Sequence, residues 1–220
     1  MDIVNLIPRK NITSLILNDV DNYVSNMTLH DLYARKATSK QDYINKCQND
    51  FSINKEVEKQ CLEKCMKCIP EANKRLCQLT SSFQNISWNL FFFSGNYYED
   101  GLSHTRFNII FLPVKIMNVD EEYLTKLLIH EKIHILQKLL PFDPFVTSFM
   151  KNFRVINHKH FVNKLIRANP DTDNFVYKDF NNQILQFVYK TDYPSSIRDV
   201  VQYSEFEHPY EQMAYLYSRL

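Results

Sequence analysis

The N-terminal part of the chain carries apolar residues at helical spacing. Residues 12–80 predict mainly α-helix, and the strongest segment runs from about residue 54 to residue 80. Pro70 lies inside this segment and is expected to break or kink the helix, because proline lacks a backbone N–H. We therefore expect a helical N-terminal region, residues 1–80, and a second region, residues 81–220, in one compact two-lobed unit.

After residue 80 the pattern becomes typical of β-strands. The segment 86–93, ISWNLFFF, is an aromatic run with strong strand preference. The sequences Ser-Gly-Asn at 94–96 and Asp-Gly at 100–101 indicate turns. The segment 104–112, HTRFNIIFL, then predicts a second strand, which Pro113 ends.

Residues 120–140 predict the next helix. Asp120 is a suitable N-cap, and the two glutamates that follow it complement the positive end of the helix. Pro141 ends the segment. Its apolar stripe is formed by Leu124, Leu127, Leu128, Ile135 and Leu139.

The remaining segments predict a mixture of helix and hairpin. Residues 144–169 resemble another helix, and residues 175–189 predict a hairpin that turns at Asn181 and Asn182. The last segment, HPYEQMAYLYSRL, predicts a C-terminal helix with Pro209 in its first turn. The whole pattern predicts an α+β protein with a small mixed sheet and a mostly helical remainder.

Composition changes this picture little. The 220 residues are 45% hydrophobic and 14% aromatic, as in a globular protein, and a net charge of +1 gives no global argument for a nucleic-acid or membrane partner. No apolar run is long enough to span a membrane, and the first residues lack the pattern of a signal peptide, so we expect a cytoplasmic, reducing location.

One stretch, residues 151–167, is locally basic. Between Asp143 and Asp171 there is no acidic residue, and the stretch is either a solvated face or a contact patch that a nucleic acid could use. Its basic residues are Lys151, Arg154, Lys159, Lys164 and Arg167.

Three of the five cysteines have CxxxCxxC spacing. Cys61, Cys65 and Cys68 could hold an iron–sulfur cluster or zinc, but they lie in a strongly helical segment where this spacing also places three residues on one face. No glycine-rich segment accompanies them, so we interpret them as reduced thiols on the buried face of a helix.

The most informative stretch is residues 127–136, LLIHEKIHIL. His130 and His134 are four residues apart on the predicted helix, so both imidazoles project from one face and can bind one metal ion. Glu131 lies beside them at a different angle, from which it can reach a water molecule on that ion. Ionisable groups among leucines and isoleucines would each cost about 1–3 kcal/mol if they were unpaired, which favours a site.

This stretch resembles the active-site helix of zincin metallopeptidases. Lys132 departs from the uncharged pattern of these enzymes, although at its angle on the helix it could point to solvent. The resemblance implies one zinc ion on His130 and His134, and Glu131 as the general base that acts on the zinc-bound water. The size and the Asn- and Lys-rich composition are also similar to those of small uncharacterised zincin-like proteins encoded by large DNA viruses.

Zincins differ in their third ligand, and the resemblance directs attention to the C-terminal helix. Gln137 and Leu140 occupy the places of the glycine and histidine that metzincins require, so the gluzincin branch, with a later glutamate, fits better. Glu211 is the preferred third ligand because it lies in the first turn of a helix, one turn before the small Ala214. The alternatives are Glu205, Glu207, His208 and Asp143.

The zincin resemblance also implies a substrate strand and an oxyanion partner. The segment 104–112 takes the place of the edge strand that pairs with extended substrate, so His104, Thr105 and Arg106 are expected to bind a peptide or protein. His208, Tyr203, Tyr215 and His104 are candidates for the group that stabilises the oxyanion. The expected function is zinc-dependent peptide hydrolysis. The alternatives are an inactive zincin-like binding or scaffold protein and a metalloprotease associated with nucleic acid.

Overall fold

The structure, a computed structural model, describes residues 3–220. Its first 80 residues are mainly helical, as the sequence predicts. They also contain a short strand that the pattern did not indicate, β1 (Val4–Leu6). The helices of this part are α1 (Arg9–Asn18), α2 (Leu29–Ala34), α3 (Lys40–Asp50) and α4 (Lys55–Leu79).

The longest helix, α4, begins at its N-cap Asn54 and continues through Pro70. The helix therefore does not break at Pro70, and the alternative of a kink there stays a prediction. The helix buries one apolar face along its whole length, and this packing outweighs the single hydrogen bond that proline removes. Cys61, Cys65 and Cys68 lie on this buried face, where burial raises the pKa of each thiol. Their interpretation as core residues is confirmed.

A four-stranded mixed sheet forms the centre of the molecule. It contains β1, β2 (Trp88–Phe93), β3 (His104–Arg106) and β4 (Ile109–Pro113), in the order β1-β2-β4-β3. The first three strands in this order are parallel, and β3 is antiparallel to β4. The single strand predicted at 104–112 is in fact this β3–β4 hairpin, which turns at Phe107 with a φ of +56°.

Side chains alternate between the two faces of this sheet. Leu90, Phe92, Ile110 and Leu112 enter a core with α4 on one face, whereas Phe91, Phe93, Ile109 and Phe111 enter a core with α1 and α3 on the other. The sheet therefore has helices on both faces, which explains why its central strands are apolar throughout. The division of the chain at residue 80 stays a prediction.

The predicted helix at 120–140 is confirmed as α5 (Glu121–Leu139), whose N-cap Asp120 accepts from the backbone N–H of Tyr123. It packs against α4 and against α8 (Pro209–Ser218), the C-terminal helix that the sequence also predicts. Met213 and Ala214 of α8 are fully buried in the core that α5 shares. Close contact between α5 and α8 follows from the small side chain of Ala214.

The predicted helix at 144–169 is wrong beyond its first turns. The structure has α6 (Pro144–Met150), then the strand β5 (Phe153–His158) and the short helix α7 (Lys159–Val162). Strand β5 is antiparallel to β6, with a register shift between Val155 and Asn157. Its aromatic and β-branched residues, Phe153, Val155 and Ile156, suit a strand once this partner is present.

The three-stranded sheet that contains β5 is completed by β6 (Phe175–Asp179) and β7 (Ile184–Leu185). The last two form the expected hairpin, and Asn182 in its turn has a φ of +63°. A separate pair follows, β8 (Phe187–Tyr189) and β9 (Val200–Gln202). The α+β class, with eight helices and small mixed sheets within residues 3–220, is confirmed.

A buried ionic cluster, the Arg35 cluster, joins the N-terminal helices to the loop before β3. It consists of Tyr23, Asp31, Arg35, Tyr43 and Glu99. Arg35 donates to Glu99 at 2.7 Å and to the hydroxyl of Tyr23 at 2.6 Å, and Tyr43 donates to Glu99 at 2.5 Å. Burial would raise the pKa of Glu99, but the charge and hydrogen bonds of Arg35 hold it at about 2. Glu99 has a φ of +47°, so the cluster also fixes an unfavourable backbone.

The two glycines of the chain, Gly95 and Gly101, meet in the loop between β2 and β3. Both have positive φ, +82° and +66°. A Cβ on Gly101 would lie 2.5 Å from the carbonyl oxygen of Gly95, and a Cβ on Gly95 would lie 2.8 Å from the Cβ of Pro113. The loop can therefore close only with glycine at both positions.

Within residues 3–220, none of the helices combines the length and the apolar character that crossing a membrane requires. The basic stretch 151–167 is less uniformly exposed than its sequence suggests. Lys159 is buried, and Arg167 is ion-paired with Glu207. Lys151, Arg154 and Lys164 remain exposed.

Candidate metal centre

Helix α5 brings His130 and His134 together as their spacing predicts. Their Nε2 atoms are 3.1 Å apart. The His134 side chain is fully buried, whereas that of His130 is 22% exposed and borders two cavities. The pair therefore has one ligand fixed in the core and one that faces open space.

Helix α8 adds the carboxylate of Glu211. His208 is the N-cap and Pro209 the first residue, so Glu211 lies in the first turn, where the helix dipole favours the ionised form. Its Oε2 atom is 3.4 Å from Nε2 of His130 and 3.8 Å from Nε2 of His134. Among residues 3–220, these three form the one group of three or more His, Cys, Asp or Glu side chains whose donor atoms converge in this way.

The three separations fit a common metal ion. Two donors at about 2.0–2.1 Å from a tetrahedral ion are about 3.3 Å apart. The observed separations, 3.1, 3.4 and 3.8 Å, are close to this value. Two imidazoles and one carboxylate are a donor set that suits zinc and other first-row divalent ions. The group thus has both the geometry and the donor chemistry of a metal-binding triad.

The charged groups of the triad shift one another's pKa values. Burial alone would raise the pKa of Glu211, but His134 and His130 outweigh burial and hold it well below its ordinary value. Burial alone would lower the pKa of His134, yet the carboxylates of Glu211 and Asp171 raise it. Without a metal the site therefore favours a proton beside an ionised carboxylate, and a divalent cation would displace that proton.

Gln137 orients His134 from the next turn of α5. The Nε2 atom of Gln137 donates to the backbone carbonyl of Tyr210 at 3.2 Å, so its Oε1 must accept from His134 Nδ1, 2.8 Å away. A proton on Nδ1 leaves Nε2 of His134 free to bind a metal. Because Tyr210 precedes Glu211, the same amide also joins the two ligand-bearing helices.

Asn169 positions Glu211 from the other side. Its Nδ2 atom donates to Oε1 of Glu211 and to Oε1 of Glu207, both at 2.7 Å. Glu207 is in turn held by Arg167, whose Nε donates to Oε2 at 3.0 Å. These contacts leave Oε2 of Glu211, the oxygen nearest the histidines, directed at the triad.

Glu131 lies beside the triad with an unused oxygen. The residue is 2% exposed, and its buried Oε2 has no hydrogen-bond partner among the described residues. Burial, together with the charges of Asp171 and Glu211, raises its pKa well above the ordinary value. It lines the larger of the two cavities next to His130. A buried oxygen without a partner is costly, which indicates that it faces a ligand or water.

Lys132 does not point to solvent, as its sequence position suggested it could. Its side chain is fully buried, and its Nζ atom donates to the carbonyl oxygens of Ile86 at 2.7 Å and Ser87 at 2.6 Å. It also lies 4.3 Å from the centre of the Trp88 ring. The charge that departs from the zincin pattern is thus used to hold β2 against α5.

The expected substrate strand lies at the sheet edge but is covered. His104, Thr105 and Arg106 are all buried. The backbone N–H of Thr105 donates to Asp171 at 2.6 Å, and its carbonyl accepts from Lys138 at 2.6 Å. A peptide could pair with this part of β3 only after both contacts were broken.

The flanking residues of this strand are also engaged. Arg106 is ion-paired with Asp21, and the ring of His104 stacks on Phe111 with centroids 5.0 Å apart. Burial lowers the pKa of His104, and its Nδ1 is 3.0 Å from the carbonyl oxygen of Leu102. His104 nevertheless lines the smaller cavity.

The three candidate oxyanion residues near the C-terminus have different surroundings. Both ring nitrogens of His208 are used, with Nε2 3.0 Å from Asp173 and Nδ1 accepting from the N–H of Tyr210. Tyr203 is 58% exposed and lines neither of the cavities at the triad. Tyr215 lines both. Of the three, the structure brings Tyr215 to the triad.

The alternative third ligands are held elsewhere. Asp143 is the N-cap of α6 and accepts from the Ser82 hydroxyl. Glu207 is bound by Arg167, and Glu205 is exposed on the rim of the smaller cavity. The group that converges with the histidines is Glu211.

No protein-family model, curated protein or solved structure matches this chain. The assignment of the triad therefore depends on the geometry of the site. Sequence reasoning missed four residues around it, Gln137, Lys138, Asn169 and Asp171. For Gln137 a signal was present, because it lies three residues after His134 on the same helix face. Asn169 and Asp171 lie in a loop, and nothing local in the sequence predicts their contacts.

Proposed function

We propose that this chain is a zinc-dependent peptidase of the gluzincin type. The observation that carries the proposal is the convergence of His130, His134 and Glu211 beside the buried, unpartnered oxygen of Glu131. The order of elements also supports it, since an antiparallel strand at the edge of the sheet precedes the helix with both histidines.

When bound, a zinc ion supplies a Lewis acid that makes water acidic and polarises a carbonyl group. The residues of the chain would carry out the proton transfers and stabilise the developing charge. Glu131 accepts a proton from the attacking water as the new C–O bond forms, and it delivers that proton to the leaving amine as the C–N bond breaks. Without a metal ion, burial and the charges of Asp171 and Glu211 raise the pKa of Glu131. A bound cation would oppose that rise.

Tyr215 is the candidate for the second electrophile. It lies where both cavities meet at His130, and Cζ of Arg219 is 3.6 Å from the centre of its ring. A phenol hydroxyl at this position can donate to the carbonyl oxygen as that oxygen gains negative charge. The positive charge of Arg219 over the ring favours such a donor.

The decisive experiment compares Glu131→Gln with His134→Ala. We expect Glu131→Gln to keep one metal ion per chain, measured by elemental analysis, and to lose peptide hydrolysis by a factor of about 10²–10⁴. His134→Ala should lose both. Glu121→Gln, on the exposed first turn of the same helix, is the matched control and should change neither. Retained hydrolysis in Glu131→Gln would contradict the proposal.

A metal-binding protein without hydrolysis is the second candidate. The observation that favours it is the covered edge of β3, where the backbone groups of Thr105 are engaged by Asp171 and Lys138. For this candidate we expect one metal ion on His130, His134 and Glu211, and no cleavage of any member of a diverse peptide library.

A further inference from the structure

Two cavities meet at the metal-binding triad. The small cavity has a volume of about 370 Å³ and the large cavity a volume of about 810 Å³. They share His130 and Tyr215, together with Leu102 and Ser103 from the loop before β3. A peptide chain that crosses the triad would therefore place one part of itself in each cavity.

The two cavities differ in charge. The small cavity is lined by five carboxylate side chains and one basic side chain, Arg167. In the large cavity the relation is reversed, and Glu131 is the one carboxylate. The basic residues of the large cavity are Lys115, Lys126 and Arg219.

The three cations of the large cavity differ in whether they form an ion pair. Lys126 is ion-paired with Glu122 at 3.1 Å. Lys115 and Arg219 are exposed, and neither forms an ion pair with a carboxylate among residues 3–220. Arg219 instead lies over the ring of Tyr215. Partial burial and the charge of Arg198 lower the pKa of Lys115, against the opposing charge of Asp100.

The wall of the large cavity is apolar behind this cationic rim. Its apolar lining residues are Leu102, Pro113, Ile116, Val119 and Leu127. A wall of this kind favours an apolar side chain, and unpaired cations at the rim favour a carboxylate close to it.

We propose that the large cavity binds the part of a peptide substrate in which an apolar side chain is followed by a carboxylate, so that the substrates are acidic peptides. This inference rests on the proposed peptidase function and names the substrate class. Four of the five carboxylates of the small cavity are paired with Arg, Lys or His side chains of the protein. The fifth, Glu205, strengthens the preference, because it repels an acidic group placed on the wrong side of the triad. The opposite charges thus set the direction in which the substrate lies.

The test uses four fluorescently labelled octapeptides and the full-length, metal-loaded Glu131→Gln protein, so that binding is measured without cleavage. Three peptides have amidated C-termini and carry glutamate, glutamine or lysine after a central leucine. The fourth carries glutamine there and ends directly after it in a free carboxylate. From fluorescence anisotropy we expect the glutamate peptide to bind about tenfold more tightly than the lysine peptide.

Reversing the charge of a rim residue tests whether the cations of the large cavity cause the preference for glutamate. Arg219→Glu and Lys115→Glu, each added to Glu131→Gln, should remove most of this tenfold difference, and higher salt should weaken it. Lys10→Glu, on the exposed first turn of α1 and in neither cavity, is the matched control and should leave it unchanged. A preference shown by the peptide with the free carboxylate alone would support the cavity and identify a chain terminus as the source of charge.

Equal binding of all four peptides, or a preference that survives both reversals, would overturn the inference. A failure of the proposed peptidase function would give a different result from a failure of this inference. If the unmodified protein cleaves none of the peptides but still prefers glutamate, the cavity assignment holds and peptidase activity does not. If it cleaves the glutamate and lysine peptides at equal rates, the peptidase stands and the acidic preference is wrong.

Discussion

The Arg35 cluster and the metal-binding triad are both buried groups of charged side chains, yet they are completed in opposite ways. In the Arg35 cluster, the guanidinium group, the Glu99 carboxylate and the phenols of Tyr23 and Tyr43 form hydrogen bonds with one another. Arg35 also donates to the carbonyl oxygen of Ala168 at 3.0 Å. In the triad, three atoms that could bind a metal ion lie within 4.8 Å of one another, and Oε2 of Glu131 has no partner among the described residues. The charged groups of the Arg35 cluster therefore satisfy one another, whereas those of the triad leave room for a further binding partner.

This difference separates a structural role from a binding role. Burying charges is unfavourable unless they are paired, so a closed cluster fixes the arrangement of the elements that supply it. The Arg35 cluster does this for α2, α3 and the loop at Glu99. A group of potential ligands would gain its missing interactions from a bound cation, and here Gln137 and Asn169 already fix the orientation of His134 and Glu211.

The largest expected effect comes from removing a ligand of the triad. Glu211→Gln should raise the dissociation constant for zinc by on the order of a thousandfold, because the apparent affinity of zinc sites, about 10–16 kcal/mol, is shared among few ligands. Glu205→Gln, an exposed carboxylate on the rim of the small cavity, is the control. Competition with a chelator of known affinity measures both. Equal affinities would show that Glu211 is not a ligand.

Breaking the closed cluster should affect folding and not metal binding. Arg35→Met leaves the buried Glu99 without its cation, and we expect the free energy of unfolding to fall by about 3–5 kcal/mol. Arg75→Met removes a partly exposed arginine that pairs with Glu71 and Glu122, and should cost less than about 1 kcal/mol. Urea unfolding followed by circular dichroism compares them.

A smaller effect is expected from the residue that orients a ligand. Gln137→Leu removes the acceptor of His134 Nδ1, so zinc affinity should fall by about 10–100-fold while one ion per chain still binds at saturation. Leu139→Gln, an exposed position on the last turn of α5, is the control on the same helix. Unchanged affinity in Gln137→Leu would mean that His134 is oriented by packing alone.

Lowering the pH should affect the triad and the Arg35 cluster in different pH ranges. The pKa of His134 is raised, so zinc affinity should fall by about tenfold per pH unit once the pH drops below that value, which lies above 6.5. The pKa of Glu99 is lowered from 4.5 to about 2, so its stabilisation is present above pH 4.5 and is lost as the pH falls through 2. Titrations of zinc binding and of the unfolding free energy should therefore show two separate ranges.

Local pattern predicted the parts of the site that lie on single helices. The positions of His130, Glu131 and His134 follow from α5, and Glu211 follows from the first turn of α8. Strand β5 was missed, because the pairing of Phe153–His158 with residues 175–179 decides its conformation and these residues are distant in sequence. The Arg35 cluster was missed for the same reason, since Arg35 and Glu99 are 64 residues apart.

The contact between Gly95 and Gly101 limits how the sequence of this chain can change during evolution. Neither position accepts a side chain, and Gly101 also lines the large cavity. A lineage could therefore exchange most of its surface and still keep two glycines six positions apart ahead of the histidine helix. Distant members of such a lineage should therefore keep both glycines, even after the rest of their sequences has drifted apart.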